Sequence, residues 1–424
     1  MTYLDKVGPR NEWRLKSPGI EGWSRTAHPT DPAKYFMVSC DNHVNEPFNW
    51  AAGRISDAYK DRMPRMVKDA EGNEWLHSDG RAPHLVKPVK TKTDHLQPME
   101  KYETWEVMVP YTSRMEEMEM MKSSAGRNVA ERIADAEADG VDAEFIYPQK
   151  GGLGFATRDT DFSLAMTRAW NRWALDEFGA TFGRTNPAAL ITTANIPEAV
   201  KEVQWAASNG FRSLSLPNKP IFGPTQRGEL AYNHNDFDPL WAAIAETGLV
   251  ATFHVSSGGE DPRGAGGNGG AIINYVTHSM ITTLDPLVKV ITSGVLERNP
   301  TLKVVTVESG VGWLPWLLET MDHAYRSHHM WVRPVIPELP SFYYRRNCAS
   351  TFMEEAAGLK YALDYGLEDN LLWANDYPHH EGSFPFSAQA IERMMGGLTE
   401  TQRAKVLGLN AARVFGLTVP KSKA

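Results

Sequence analysis

Short apolar runs that alternate with helical stretches constrain this 424-residue chain more than any other feature. The strand-like runs fall at 35–40, 141–147, 188–195, 211–216, 249–255, 302–307, 342–349 and 370–374. Helical patterns occupy 127–140, 161–178, 196–209, 239–247, 270–297, 314–330 and 354–365, several closed by Gly. Strand and helix taking turns in this way bury a parallel sheet under helices, and eight such units predict an α/β chain closed into a (β/α)8 TIM barrel. The rival, an open doubly wound sheet, calls for a Gly-rich phosphate turn after the first strand. Here that position reads Asp41-Asn-His43-Val-Asn-Glu46-Pro47.

Only the first unit breaks the rhythm. Residues 48–125 form an insertion expected to fold over one end of the barrel, with a hairpin turn at 69–75 and a methionine-rich helix at 111–125. Residues 1–34 are polar and aperiodic, an extended arm laid over the surface or a neighbouring subunit; the barrel itself runs over 35–416, with a tail at 417–424. A net charge of −8 with no basic block argues against nucleic acid or an anionic membrane as partner. Two cysteines are too few for a disulfide framework. With no signal-peptide core and no membrane-length apolar run, the expectation is a soluble cytoplasmic protein.

In a barrel of this kind the reactive groups sit just past the C-terminal ends of the strands. Those positions hold Asp41, His43 and Glu46 after the first strand, His254 at the fifth, Glu308 after the sixth, and Asp376, His379 and His380 after the eighth. Asp41 and His43 are two apart, so in a strand both point to one face and form a chelating pair. Singly, each has an ordinary explanation: His254 as a satisfied core histidine, Glu308 as the partner of Arg345 or Arg346, the 379–380 pair as a loop cap. Jointly they are costly to bury without a cation, which predicts a metal site. His278, His323, His328 and His329 fall on helices, and His28, His77, His84 and His95 in the arm or the insertion. His95 and Lys92 could reach the barrel mouth. Trp170 and Trp173 read as core, and the glycine-rich run after His254 as a flexible lid.

These segments, together with Phe253-His254-Val-Ser-Ser, Val307-Glu308-Ser-Gly-Val-Gly-Trp313 and Ala374-Asn-Asp376-Tyr-Pro-His379-His380, resemble the amidohydrolase-related (amidohydrolase 2) family of the amidohydrolase superfamily. That family includes aminocarboxymuconate-semialdehyde decarboxylase and its aromatic-acid decarboxylase relatives. The resemblance implies a distorted barrel holding a divalent metal, with Asp41 and His43 as the first-strand pair and His254 and Asp376 as the fifth- and eighth-strand ligands. Two departures stand out. The decarboxylases carry His-Gly-Gly at the sixth strand where this chain has Glu308-Ser-Gly, and Glu46 is an addition. Four carboxylates exceed what one dication neutralises, pointing to a second metal or a shared proton. Zinc, iron and manganese all suit such a shell.

Three enzyme readings follow. In the first, a metal-dependent hydrolase, Asp41, His43 and His254 hold the ion, Asp376 is the general base for a metal-activated water, and Glu308 assists or holds a second ion. The alternative is a dinuclear Fe or Mn/Fe oxygenase acting on a small organic acid or acyl substrate, with Glu308 and Glu46 as further ligands. The third is a non-oxidative decarboxylase. In each the partner is a small-molecule substrate, and the arm suggests a homo-oligomer or an assembly with a paralogous chain.

Overall fold

The computed structural model describes residues 12–87, 129–221, 231–258, 279–332, 334–379 and 382–421, together with positions 273, 276 and 277. The expected 111–125 helix, His95, Lys92, the glycine-rich run from 259 to 270 and His380 lie outside the described residues.

Strand β1 (Val38–Val44) pairs in parallel with β5 (Ala143–Pro148), and β5 pairs with β6 (Thr185–Pro187). One residue further on, β7 (Ala189–Leu190) opens a six-stranded parallel sheet that continues through β8 (Ser213–Leu216), β9 (Val250–His254), β10 (Lys303–Val307) and β11 (Cys348–Phe352) to β12 (Leu371–Trp373). The break between β6 and β7 is a kink in one barrel strand, bridged where Ala188 N donates to Ile146 O at 3.0 Å. Closure comes just past β12: Asp376 N donates to Asp41 O (3.0 Å) and His43 N to Tyr377 O (2.7 Å), joining the last strand to the first. The result is the distorted (β/α)8 barrel expected from the sequence.

Alternation along the strands sends one set of side chains inward. Val38, Cys40, Phe145, Tyr147, Val250, Val305, Val307 and Leu372 form a buried cluster inside the cylinder. The C-terminal helix Asn410–Phe415 plugs the end where the strands begin, with Phe415 stacked on Phe145 at 3.9 Å and Lys303 Nζ capping the Val414 carbonyl at 2.8 Å. A second, larger core lies between strands and helices and takes in Trp170, Trp173, Trp241 and Trp373. With one end plugged by apolar packing, polar chemistry is confined to the other.

One expected strand is in the wrong place. Residues 342–349 read as a strand because Phe and Tyr favour sheets, but Pro340–Asn347 is a helix, and the barrel strand is Cys348–Phe352. Pro340 sits at the first helical turn, where a missing N–H costs nothing, and Arg345 and Arg346 occupy the last turn, where cations are favoured. The expected helix at 270–297 is, over its described part, Ser279–Thr292 followed by a short turn Val295–Arg298.

Within the insertion, β2 (Arg65–Lys68), β3 (Glu74–His77) and β4 (His84–Lys87) form a three-stranded antiparallel sheet. Its first turn is the expected hairpin: the Asp69 carboxylate accepts from Asn73 N (2.8 Å) and Trp75 Nε1 (2.7 Å). The described part of the N-terminal arm lies on the chain's own C-terminal helices. There Arg14, 2% exposed, donates to Gly382 O at 3.0 Å and stacks over Phe386. Among the described residues no helix is long and apolar enough to cross a membrane.

Candidate metal centre

At the open end of the barrel, β1 delivers Asp41 and His43 to the same face, β9 ends on His254, and Glu308 is the first residue past β10. Ligand-capable atoms of these residues all lie within 4.8 Å of one another, and a second such group joins His43 to Asp376 and His379. His254 Nε2 is 3.3 Å from Asp41 Oδ1 and 3.1 Å from Glu308 Oε2. His43 Nε2 lies 3.5 Å from Asp41 Oδ1, 3.8 Å from Glu308 Oε2, 3.4 Å from Asp376 Oδ1 and 3.2 Å from His254 Nε2. His43 therefore belongs to both groups. His379 stacks on its ring at 3.9 Å and points Nδ1 at Asp376 Oδ1, 3.1 Å away.

The backbone holds these groups in place. His254 Nδ1 donates to the Val255 carbonyl at 2.8 Å, and since a carbonyl only accepts, the proton sits on Nδ1 and Nε2 is left for the cluster. Asn375, just before Asp376, donates to Asp139 Oδ2 (2.9 Å), and its own N–H is taken by Ser39 Oγ. Arg132 and Glu144 form a buried ion pair, and Arg132 also donates to the carbonyl of His43 (2.6 Å). Among the described residues, Ser256, Glu308 and Asp376 are the non-glycine residues with positive φ (59°, 61° and 54°), and all follow strands that end at this cluster. Backbone strain of that kind persists where the surroundings over-determine it.

Electrostatics favour a cation here. Burial works against the charged His254 imidazolium, but the carboxylates of Asp41 and Glu308 outweigh it and hold its pKa well above the usual range. Burial pushes the Asp376 carboxyl well up; His379 opposes this, while Glu308 and Asp41 add to it. Asp41 Oδ2 and Asp376 Oδ2 are buried without a hydrogen bond. Buried acceptors left in that state are expensive unless something positive meets them. Carboxylate oxygens and imidazole nitrogens are the donor set of Mn²⁺, Fe²⁺ or Zn²⁺, so the residues fit a divalent metal.

Glu46 stands apart, correcting the expectation that it is a ligand. It is 1% exposed, and its carboxylate accepts from the backbone N–H groups of Gln149 (3.1 Å), Lys150 (2.9 Å) and Gly151 (3.1 Å) and from Trp170 Nε1 (2.8 Å). With its lone pairs spent on four donors, it anchors the loop after β5. Arg345 donates to the carbonyls of Tyr365 and Gly366, and Arg346 to that of Leu296, and Glu308 instead faces the imidazoles of His43 and His254.

A cavity of about 880 Å³ opens from the cluster. Its walls include His43, His254, Glu308 and His379, the apolar Phe48, Leu153 and Pro148, the cations Lys150 and Arg81, and Met66 and Leu76 from the inserted sheet. Met66 and Leu76 are cross-strand partners, so one face of that sheet lies over the cavity. Sequence reasoning missed Tyr147, Gln149 and Lys150. They sit at the end of an apolar strand just as Asp41 and Glu308 do, and Tyr147 packs on His254 with ring centroids 4.8 Å apart.

A profile of the amidohydrolase family matches residues 122–417. No curated protein matches the chain in sequence. Among solved structures, it is similar to an amidohydrolase from Mycobacterium avium subsp. paratuberculosis K-10 (20% identity, covering 91% of this chain and 99% of that one, TM-score 0.69). It is similar also to 5-carboxyvanillate decarboxylase from Sphingomonas paucimobilis (19% identity, 91% and 100%, TM-score 0.60). A third is a dihydroxybenzoic acid decarboxylase from Polaromonas sp. JS666 with bound manganese and the inhibitor 2-nitroresorcinol (13% identity, 92% and 99%, TM-score 0.59). Likeness at these identities speaks to the fold.

Proposed function

Because the chain belongs to the amidohydrolase family, we propose that this metal-dependent enzyme removes the carboxyl group of a small organic acid without an oxidant. The observation that carries the reading is the buried cluster of Asp41, His43, His254 and Glu308 beside the buried carboxyl of Asp376, at the floor of a cavity whose walls hold Lys150, Arg81 and Glu74 along with apolar side chains. Similar folds in two decarboxylases support it. It ranks ahead of hydrolysis, the first expectation from sequence, on the strength of those two neighbours.

In this reading Asp41, His43, His254 and Glu308 hold the ion. Once bound, it supplies a Lewis acid that binds and orients the substrate's oxygen atoms. Lys150 and Arg81 draw an anionic substrate into the cavity, and its apolar walls exclude water. Asp376, protonated at a carboxyl oxygen, faces the reacting carbon. As the bond to the carboxylate breaks, its electron pair stays on that carbon and takes the Asp376 proton, and CO₂ departs. His379 Nδ1, 3.1 Å from Asp376 Oδ1, relays the replacement proton from solvent.

Glu308 favours a second reading. A third carboxylate beside Asp41 and Asp376 exceeds the charge of one dication, which suits two ions and a dinuclear oxygenase. One experiment separates the two. Protein loaded with Mn²⁺ or Fe²⁺ is given hydroxylated benzoic acids with and without oxygen, and CO₂ release and O₂ uptake are followed. Anaerobic CO₂ release that falls by about 10²-fold or more in Asp376→Asn supports decarboxylation. Oxygen uptake with two Fe²⁺ per chain and no anaerobic turnover replaces it with the oxygenase.

A further inference from the structure

Strand β11 ends without contributing to the ligand cluster, yet Thr351 on it and Glu355 beyond it grip the loop carrying Glu308. Glu308 N donates to Thr351 Oγ1 on β11 at 2.9 Å. Four residues past Thr351, the side chain of Glu355 reaches across to the same loop. Its Oε2 accepts from Val311 N at 2.7 Å and its Oε1 from Gly312 N at 2.9 Å. A carboxylate taking two adjacent backbone N–H groups fixes the direction of that peptide pair.

The surrounding glycines are shaped to this one side chain. A Cβ at Gly310 would lie 2.7 Å from Glu355 Oε2, one at Gly312 2.7 Å from Oε1, and one at Gly358 would clash with Oε1. Gly310 also has φ +70°, which a larger residue adopts only under strain. The loop is thus pinned at both ends, by Thr351 at Glu308 and by Glu355 at Val311 and Gly312. At the first pin Glu308 holds a left-handed backbone that its own side chain disfavours. That conformation places Glu308 Oε2 3.1 Å from His254 Nε2.

We infer that Glu355 is a positioning residue: by clamping the 308–312 loop it sets the Glu308 carboxylate in the metal cluster. The inference rests on the reading above that Glu308 helps to hold the ion. Without the clamp the loop is free to relax to negative φ, carrying the carboxylate away from His254.

The test is a double-mutant cycle read by Mn²⁺ affinity, with free Mn²⁺ followed by electron paramagnetic resonance and folding by circular dichroism. Supporting-shell residues shift metal affinity by about tenfold or more, and that loss is expected in Glu355→Ala. Glu355→Gln, which keeps one oxygen for one N–H, falls between it and the parent. In a Glu308→Ala background, adding Glu355→Ala weakens binding by no more than about twofold further, because the group it positions is already gone. A folded Glu355→Ala protein with parental Mn²⁺ affinity overturns the inference, and so does an equal loss in both backgrounds, which marks a merely structural residue. If Glu355→Ala fails to fold, the same cycle with Glu355→Gln decides. Absence of Mn²⁺ binding in the parent protein itself overturns the metal reading instead.

Discussion

Asp139 shows how far the support of the cluster reaches and gives it a signature in pH. It is 3% exposed, and its carboxylate accepts from Asn375 Nδ2 and from Ser387 N and Oγ. Burial pushes its pKa up to about 6, with those hydrogen bonds only partly opposing. Between pH 3.8 and about 6 the folded chain therefore keeps a proton that the unfolded chain has lost, and stability falls as pH rises through that window. A shift of about 2 units corresponds to about 3 kcal/mol. Denaturant titrations across the window should show this slope in the parent protein and lose it in Asp139→Asn; equal slopes in both refute the assignment. At the cluster itself, His254→Ala should strip bound metal, measured by elemental analysis, since it removes a nitrogen and leaves Asp41 and Glu308 facing each other.

Among elements, β1 shows how a strand end is made rigid enough to chelate. Arg132, on the helix Val129–Ala138, pairs with Glu144 of β5 and holds the His43 carbonyl, and Asn42 Nδ2 donates to the same Glu144 at 2.5 Å. Neutralising Arg132 as Met would strand a buried carboxylate, costing about 3–5 kcal/mol, to be read from chemical denaturation. A loss below about 1 kcal/mol would mean that the buried Glu144 carboxylate does not depend on Arg132. The same scale explains what the sequence hid. The helix Pro340–Asn347 buries Tyr343, Tyr344 and Asn347 against the barrel, and its aromatic content imitates a strand. The helix-starting Pro340 was the better signal.

For the molecule as a whole, an ion that binds only the closed barrel would tie the mouth of the first strand to those of the fifth and sixth. Chelation with EDTA should therefore lower the unfolding free energy, by about 2.7 kcal/mol where metal had been present at a hundred times its dissociation constant. Calorimetry with and without chelator reads this directly, and coincident melts would count against a cation at the cluster. What the sequence determined is local: apolar runs of strand length between amphipathic helices make a parallel barrel, and polar residues just past those runs must gather at one end of it. Asp41, His43, His254, Glu308 and Asp376 were legible on that rule alone. What only the tertiary structure decided is which carboxylate meets which partner. Glu46 follows β1 just as Glu308 follows β10, but four N–H donors from β5's loop and Trp170 surround it, while Glu308 faces two imidazoles. Strand-end position fixes the end of the barrel a side chain occupies; the packing of distant loops fixes whether its charge is met by peptide N–H groups or left for a cation.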